Sequence, residues 1–188
     1  MNYIKMAPLA GMVGYGGGGT GLTLNAAAKE PGWLGVRGCF NGGQWTSHNR
    51  DYFSNIVNDI FYFTIATTGN ASDFGNMTEG KYKLSGGSGG GRGIQPAGNN
   101  TNGNTSTKAI DYWTFASLGN AADFGDMAAI EKSMRTGSNG IKAIMSGGEY
   151  STSNNVRHDV MEVLVIQTTG NATDFGDVNT ALNNHMSV

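Results

Sequence analysis

The sequence Gly-Asn-Ala-x-Asp-Phe-Gly occurs three times in this chain, at 69–75, 119–125 and 170–176, each time shortly after an apolar run. The copies are spaced 50 and 51 residues apart, a period that belongs to repeated supersecondary units, each of which needs a neighbour to bury its apolar face. The preceding runs, 60–66, 110–116 and 161–167, are rich in aromatic and β-branched residues, and the second alternates most clearly between apolar and polar positions. That pattern predicts strands. The expected fold is all-β: repeated antiparallel units of about 50 residues, either propeller-like or an open stack, with a Gly-rich N-terminal arm. The expected divisions are an arm or partial repeat over 1–31, repeat 1 over 32–80, repeat 2 over 81–130, and repeat 3 with a C-terminal tail over 131–188.

Alternate positions on the three strands carry Phe63, Trp113 and Leu164, then Ile65, Phe115 and Ile166, so one face of every strand is expected to form the buried layer. On the same parity, at the strand start, Phe61 becomes Asp111 and Glu162. That position is expected at a rim. In the turns, Gly69, Gly119 and Gly170 suit positive φ, and Asn70, Asn120 and Asn171 tolerate left-handed geometry. Asp73, Asp123 and Asp174 can each accept backbone N–H groups in an Asx turn. Phe74, Phe124 and Phe175 are expected to fold back as apolar plugs, ahead of Gly75, Gly125 and Gly176. Reading the Asn and Asp side chains as calcium ligands is disfavoured, because each loop carries few carboxylates and lacks the dense spacing of calcium loops.

A second strand is expected upstream of each aromatic one. The segments 38–43 and 140–148 end in a Gly pair, and 92–98 is a weaker middle copy. A further short strand is expected near 81–84 or 131–134. The polar segment 99–107 has nothing to bury and should project as a loop. The stretch 85–93 reads as flexible or tightly turned backbone. Gly-rich 14–21 is not followed by Gly-Lys-Ser/Thr, so a nucleotide site is not expected. Asp-Phe-Gly without a kinase's lysine strand and catalytic loop is coincidental.

Composition narrows the function classes. With 31 Gly in 188 residues and 14% charged residues, this is a turn-rich, weakly charged chain. Twelve basic against fourteen acidic residues give a net charge of −2, so neither nucleic acid nor an anionic membrane is an expected partner. The apolar run 60–66 is far shorter than the roughly 20 residues of a spanning helix. Pro8, Gly11, Gly14 and the glycines at 16–19 interrupt any secretory signal core. The single Cys39 permits no intrachain disulfide, and the Asn-x-Ser/Thr matches are discounted as glycosylation sites. His48, His158 and His185 show no metal-ligand spacing, and the carboxylates Asp51, Asp59, Asp111, Glu149, Asp159 and Glu162 form no pair that the sequence alone brings together. Neither catalysis, a metal nor a cofactor is expected.

The repeats, above all Thr-Gly-Asn-Ala-Ser/Thr-Asp-Phe-Gly-Asn/Asp at 68–76 and 169–177, resemble those of kelch-like virion structural proteins of tailed bacteriophages, especially phages of marine and cyanobacterial hosts. The resemblance implies a particle component, either head decoration or tail, acting through contacts with other virion proteins and with copies of itself. Closed propellers use four to eight blades, and 188 residues leave three units and a remnant. Either the arm supplies a fourth small blade, or the units form an open stack whose edges other subunits cover. In the second case the arm, with its apolar 6–13, is expected to dock on a neighbouring capsid or tail protein. The competing expectation is a lectin-like host-recognition module in which Trp45, Tyr52, Tyr150 and the 99–107 loop gather around a glycan.

Overall fold

The computed structural model describes residues 37–44, 56–100, 106–150 and 156–182. The N-terminal arm, His48, His185, Trp45, Tyr52 and the centre of the 99–107 loop lie outside the described residues, as does the side chain of Tyr150. Fourteen strands and no helix occur among the described residues. The first unit contributes β1 (Arg37–Asn41), β2 (Asp59–Thr64) and β3 (Ser72–Asn76). The second contributes β4 (Lys81–Tyr82), β5 (Gly87–Gly89), β6 (Arg92–Asn100), β7 (Ser106–Thr114) and β8 (Ala122–Asp126). The third contributes β9 (Glu131–Lys132), β10 (Arg135–Ser138), β11 (Lys142–Ser146), β12 (Glu149–Tyr150), β13 (Val160–Val165) and β14 (Thr173–Asp177).

All pairings are antiparallel. The orders β1-β2-β3, β5-β6-β7-β8 and β10-β11-β13-β14 are one pattern repeated, and among the described residues no sheet closes. The aromatic runs form the strands that the sequence predicts, whereas the Asp-Phe-Gly segments, expected as turns, are themselves strands β3, β8 and β14 paired to them, because each folds back along its aromatic strand with the same register shift after Ile60, Ile110 and Met161. The Gly pairs also behave as one feature. Gly42 and Gly147 have φ of 58° and 57°, followed by Gly43 and Gly148 at 111° and 116°. The weaker middle copy makes the same bend with Ala97 at 45° and Gly98 at 122°.

The cores lie between units. One joins Ile60, Phe74 and Met77 of the first unit to Trp113 of the second, with Phe115 and Ala121 packed against it. The other joins Ile94, Ile110 and Phe124 of the second unit to Leu164, Ile166 and Ala172 of the third. Each middle strand therefore uses both faces. Ile60 and Ile110 point forward to the following unit, whereas Trp113, Leu164 and Ile166 point back to the preceding one. The expectation of a single buried layer is corrected accordingly: Trp113, Leu164 and Ile166 are buried, Phe63 and Phe115 are half-buried, and Ile65 is 57% exposed. Among the described residues no unit stands in front of the first to cover its back face.

Two expectations about polar segments also change. The Gly-rich 85–93 is an ordered hairpin, with β5 paired to β6, and a Cβ on Gly89 would lie 2.1 Å from the carbonyl oxygen of Gly140. Backbone packs directly on backbone there. Asn99 and Ser106 are buried strand residues, not loop tips: Asn99 Nδ2 donates to Tyr82 Oη at 2.9 Å, and the Ser106 hydroxyl donates to Asn99 Oδ1 at 2.8 Å.

Candidate functional site

The most built feature of the molecule is the junction between consecutive repeats. Gly119 N donates to Phe74 O at 2.8 Å, Ala121 N to Asn76 O at 2.8 Å, and Asn76 N to Asn120 Oδ1 at 3.0 Å. The next junction repeats the set, with Gly170 N to Phe124 O at 2.7 Å, Ala172 N to Asp126 O at 2.8 Å, and Asp126 N to Asn171 Oδ1 at 3.0 Å. The motif thus has two halves. Its Gly-Asn-Ala half binds the Phe-Gly-Asn/Asp half of the preceding copy.

The side chains divide the work. Asp73, Asp123 and Asp174 each accept the N–H two residues on, at 3.1, 3.1 and 3.0 Å, the local contact that the Asx reading expects, but they brace the register shift within a strand and not a turn. The asparagines do not take left-handed backbone. Non-glycine positive φ among the described residues is confined to Lys83, Ala97 and Ser133, and Asn120 and Asn171 instead reach across the junction. Gly119 and Gly170 do take positive φ, at 152° and 154°, whereas Gly69 does not. Gly75 and Gly125 must be glycine for a steric reason, since a Cβ there would approach the carbonyl oxygens of Gly119 and Gly170 to 2.3 and 2.5 Å. Phe74 and Phe124 are the expected plugs, at 3% and 2% exposure, sealed edge-on by Tyr62 and Tyr112. Phe175 is 53% exposed, which corrects the expectation for the third copy.

Charge is buried where a rim is expected. Asp111 and Glu162 are 0% and 2% exposed, because each closes a junction. Lys81 Nζ lies 2.9 Å from Asp111 Oδ2 and donates to Ala109 O at 3.0 Å, and the Thr78 hydroxyl donates to Asp111 Oδ1. Glu162 accepts Ala128 N and Ala129 N at 2.9 and 3.2 Å. A fourth recurring contact is cationic. The Arg37 guanidinium sits over the Tyr62 ring and donates to Phe115 O, and Arg92 sits over Tyr112 and donates to Ile166 O and Gln167 O. None of these partners is local in sequence. Only the recurrence of an acid or a cation at one repeat position signals them.

A cavity of about 640 Å³ opens beside the first junction, lined by Arg37, Cys39, Asn41, Gln95, Trp113 and Phe115 among others. Asn41 Nδ2 donates to Gln95 Oε1 at 2.8 Å. Burial pushes the Cys39 thiol above its ordinary value, partly offset by the Trp113 indole N–H and the Arg37 charge. The indole Nε1 has no hydrogen-bond partner of full geometry although it is buried. The lining combines a guanidinium, two amides, an indole donor and aromatic walls, which suits a hydroxyl- or carbonyl-bearing ligand. Of the residues nominated for glycan contact, Trp45 and Tyr52 lie outside the described residues, and the backbone of Tyr150 pairs with Glu131. Among the described residues no three His, Cys, Asp or Glu side chains group as metal ligands.

No family model and no curated protein matches the chain. Among solved structures, 128 chains match. One is that of YjhT, with a TM-score of 0.61 and 12% identity over 77% of this chain and 50% of that one. The chain therefore spans about half the length of the solved chain it matches. At that identity the likeness shows the fold alone, an all-β arrangement of repeated antiparallel units.

Proposed function

We propose that the chain is a structural virion protein of a tailed bacteriophage, part of the head decoration or the tail, which acts through protein–protein contacts with other virion proteins and with itself, without catalysis or a cofactor. The observation that supports a contact-making role is a stack whose two ends are uncovered among the described residues. Phe40, Phe61 and Ile65 are 64%, 41% and 57% exposed at one end, and Val165, Phe175 and Leu182 are 41%, 53% and 41% exposed at the other. Clustered exposed apolar groups of this kind mark interaction surfaces. The particle assignment rests on the repeat resemblance. Quantitative mass spectrometry of purified particles tests it. Many copies per particle support a shell position and a handful a tail position, whereas absence from particles removes the reading.

A second reading, a host-glycan-binding tail module, draws on the cavity at Arg37, Asn41, Gln95 and Trp113, whose buried indole N–H has the Cys39 thiol as its neighbour. Glycan-array binding lost in Trp113→Phe would favour it. An array without signal would exclude it.

A further inference from the structure

The two ends of the stack are the two halves of the junction that the chain forms twice internally. At the front, Gly69, Asn70 and Ala71 are exposed, and a Cβ on Gly69 would meet nothing within 4 Å. At the rear, Phe175 is exposed and a Cβ on Gly176 would likewise meet nothing, although Gly125 at the same repeat position is overlaid by Gly170. Among the described residues, the donor half is free at one end and the acceptor half at the other.

The residues around these halves match one another better than a generic surface would. At the first junction the closing pair is Lys81 with Asp111, 2.9 Å apart. Leu182 occupies the repeat position of Lys81: Gly148 N donates to Leu182 O at 2.7 Å as Gly43 N donates to Lys81 O at 2.8 Å. Phe61 occupies the position of Asp111, since the two pair in register with Asp73 and Asp123. Acid and base are thus both replaced by apolar groups at the open ends, and an unpaired buried charge is avoided on either side. A cation is kept at the equivalent position. Lys142, exposed, stands opposite Val165 as Arg37 and Arg92 stand opposite Thr64 and Thr114.

We infer that a second copy of this chain docks head to tail, its Gly69-Asn70-Ala71 seated on Phe175-Gly176-Asp177 of the first. In this contact Gly69 N donates to Phe175 O, Ala71 N donates to Asp177 O, and Asn70 Oδ1 accepts from Asp177 N. Phe61 meets Leu182 across it. Gly-Asn-Ala occurs at three places in the sequence, and two are already engaged within the chain, so the occupant with the right sequence is another copy. Such a heterologous contact closes when the rotation per unit allows. Three units are too few for a ring, but two copies bring six, within the four to eight blades of closed propellers. The contact is independent of the phage assignment.

Light scattering on the full chain across a concentration series tests it. The expected mass is that of two chains. Phe61→Asp and Leu182→Lys, both at exposed residues, should keep the circular dichroism of the wild type. Each should weaken pairing by roughly ten- to a hundred-fold through an unpaired charge at the contact. The double variant recreates the Lys81–Asp111 arrangement between copies and should recover pairing. A single-chain mass for the wild type at every concentration, pairing that survives both single variants, or no recovery in the double variant would each overturn the inference.

Discussion

Phe124 and Phe175 sit in nearly the same seven residues, each following an Asp that braces the register shift, yet one is 2% and the other 53% exposed. The motif therefore does not seal itself. What covers Phe124 is the third unit, and what would cover Phe175 is a fourth; Val163, standing where Tyr112 closes over Phe124, also leaves it without an edge-on ring. The turn is a connector with two dissimilar halves, and the burial of its residues depends on whether a neighbour occupies each half.

Paired substitutions break or sharpen this comparison, with stability measured by denaturant titration at concentrations too low for self-association. Phe124→Ala should cost about 3–5 kcal/mol, and Phe175→Ala less than about 1 kcal/mol. Equal costs would mean that the exposed plug is packed after all. Asp111→Ala should cost about 3–5 kcal/mol because it strands the buried Lys81 charge, while the double change Lys81→Met with Asp111→Leu should regain most of that loss. Gly125→Ala forces a methyl against the Gly170 carbonyl and should cost more than about 2 kcal/mol, whereas Gly176→Ala carries only the strain of its φ, about 1–2 kcal/mol. Asn120→Ala should cost about 1 kcal/mol by removing the acceptor for Asn76 N, and Asn70→Ala close to nothing.

The first junction carries the Cys39–Trp113 cavity beside it. Burial raises the Cys39 pKa in the folded chain. Its contribution to stability is thus fully present below the unfolded thiol's ordinary value and is lost as pH rises through the folded one. Stability should fall slightly faster on the alkaline side than in Cys39→Ser, a small difference read from denaturation midpoints at stepped pH.

Much of this architecture is legible in the sequence. The repeat spacing marks the units, the β-branched and aromatic runs mark the strands, and the Asp two residues before Gly marks the braced register shift. The faces are harder, because a strand buried on both sides has no clean alternation, and β2, Ile-Phe-Tyr-Phe, can be read on either parity. Asp111 and Glu162 read as rim residues because an acid in a strand usually is one. Their partners, Lys81 at the start of the second unit and the Ala128–Ala129 backbone at its end, lie about 30 residues upstream, where no local pattern points to them. Composition makes 85–93 look flexible, since it cannot reveal that the Gly140 backbone packs on Gly89. The small residues that face large ones across a strand pair, Gly93 with Trp113 and Ala143 with Leu164, are a signal in the sequence that would have placed the back face.

Amide hydrogen exchange on the Phe175→Asp variant, at a concentration where light scattering gives a single-chain mass, tests the two-halved connector most directly. Slow exchange at Gly119, Ala121, Gly170 and Ala172 with fast exchange at Gly69 and Ala71 is the predicted result. Equal protection at all three turns would contradict the account, because each turn would then be held by its own residues and not by its neighbour.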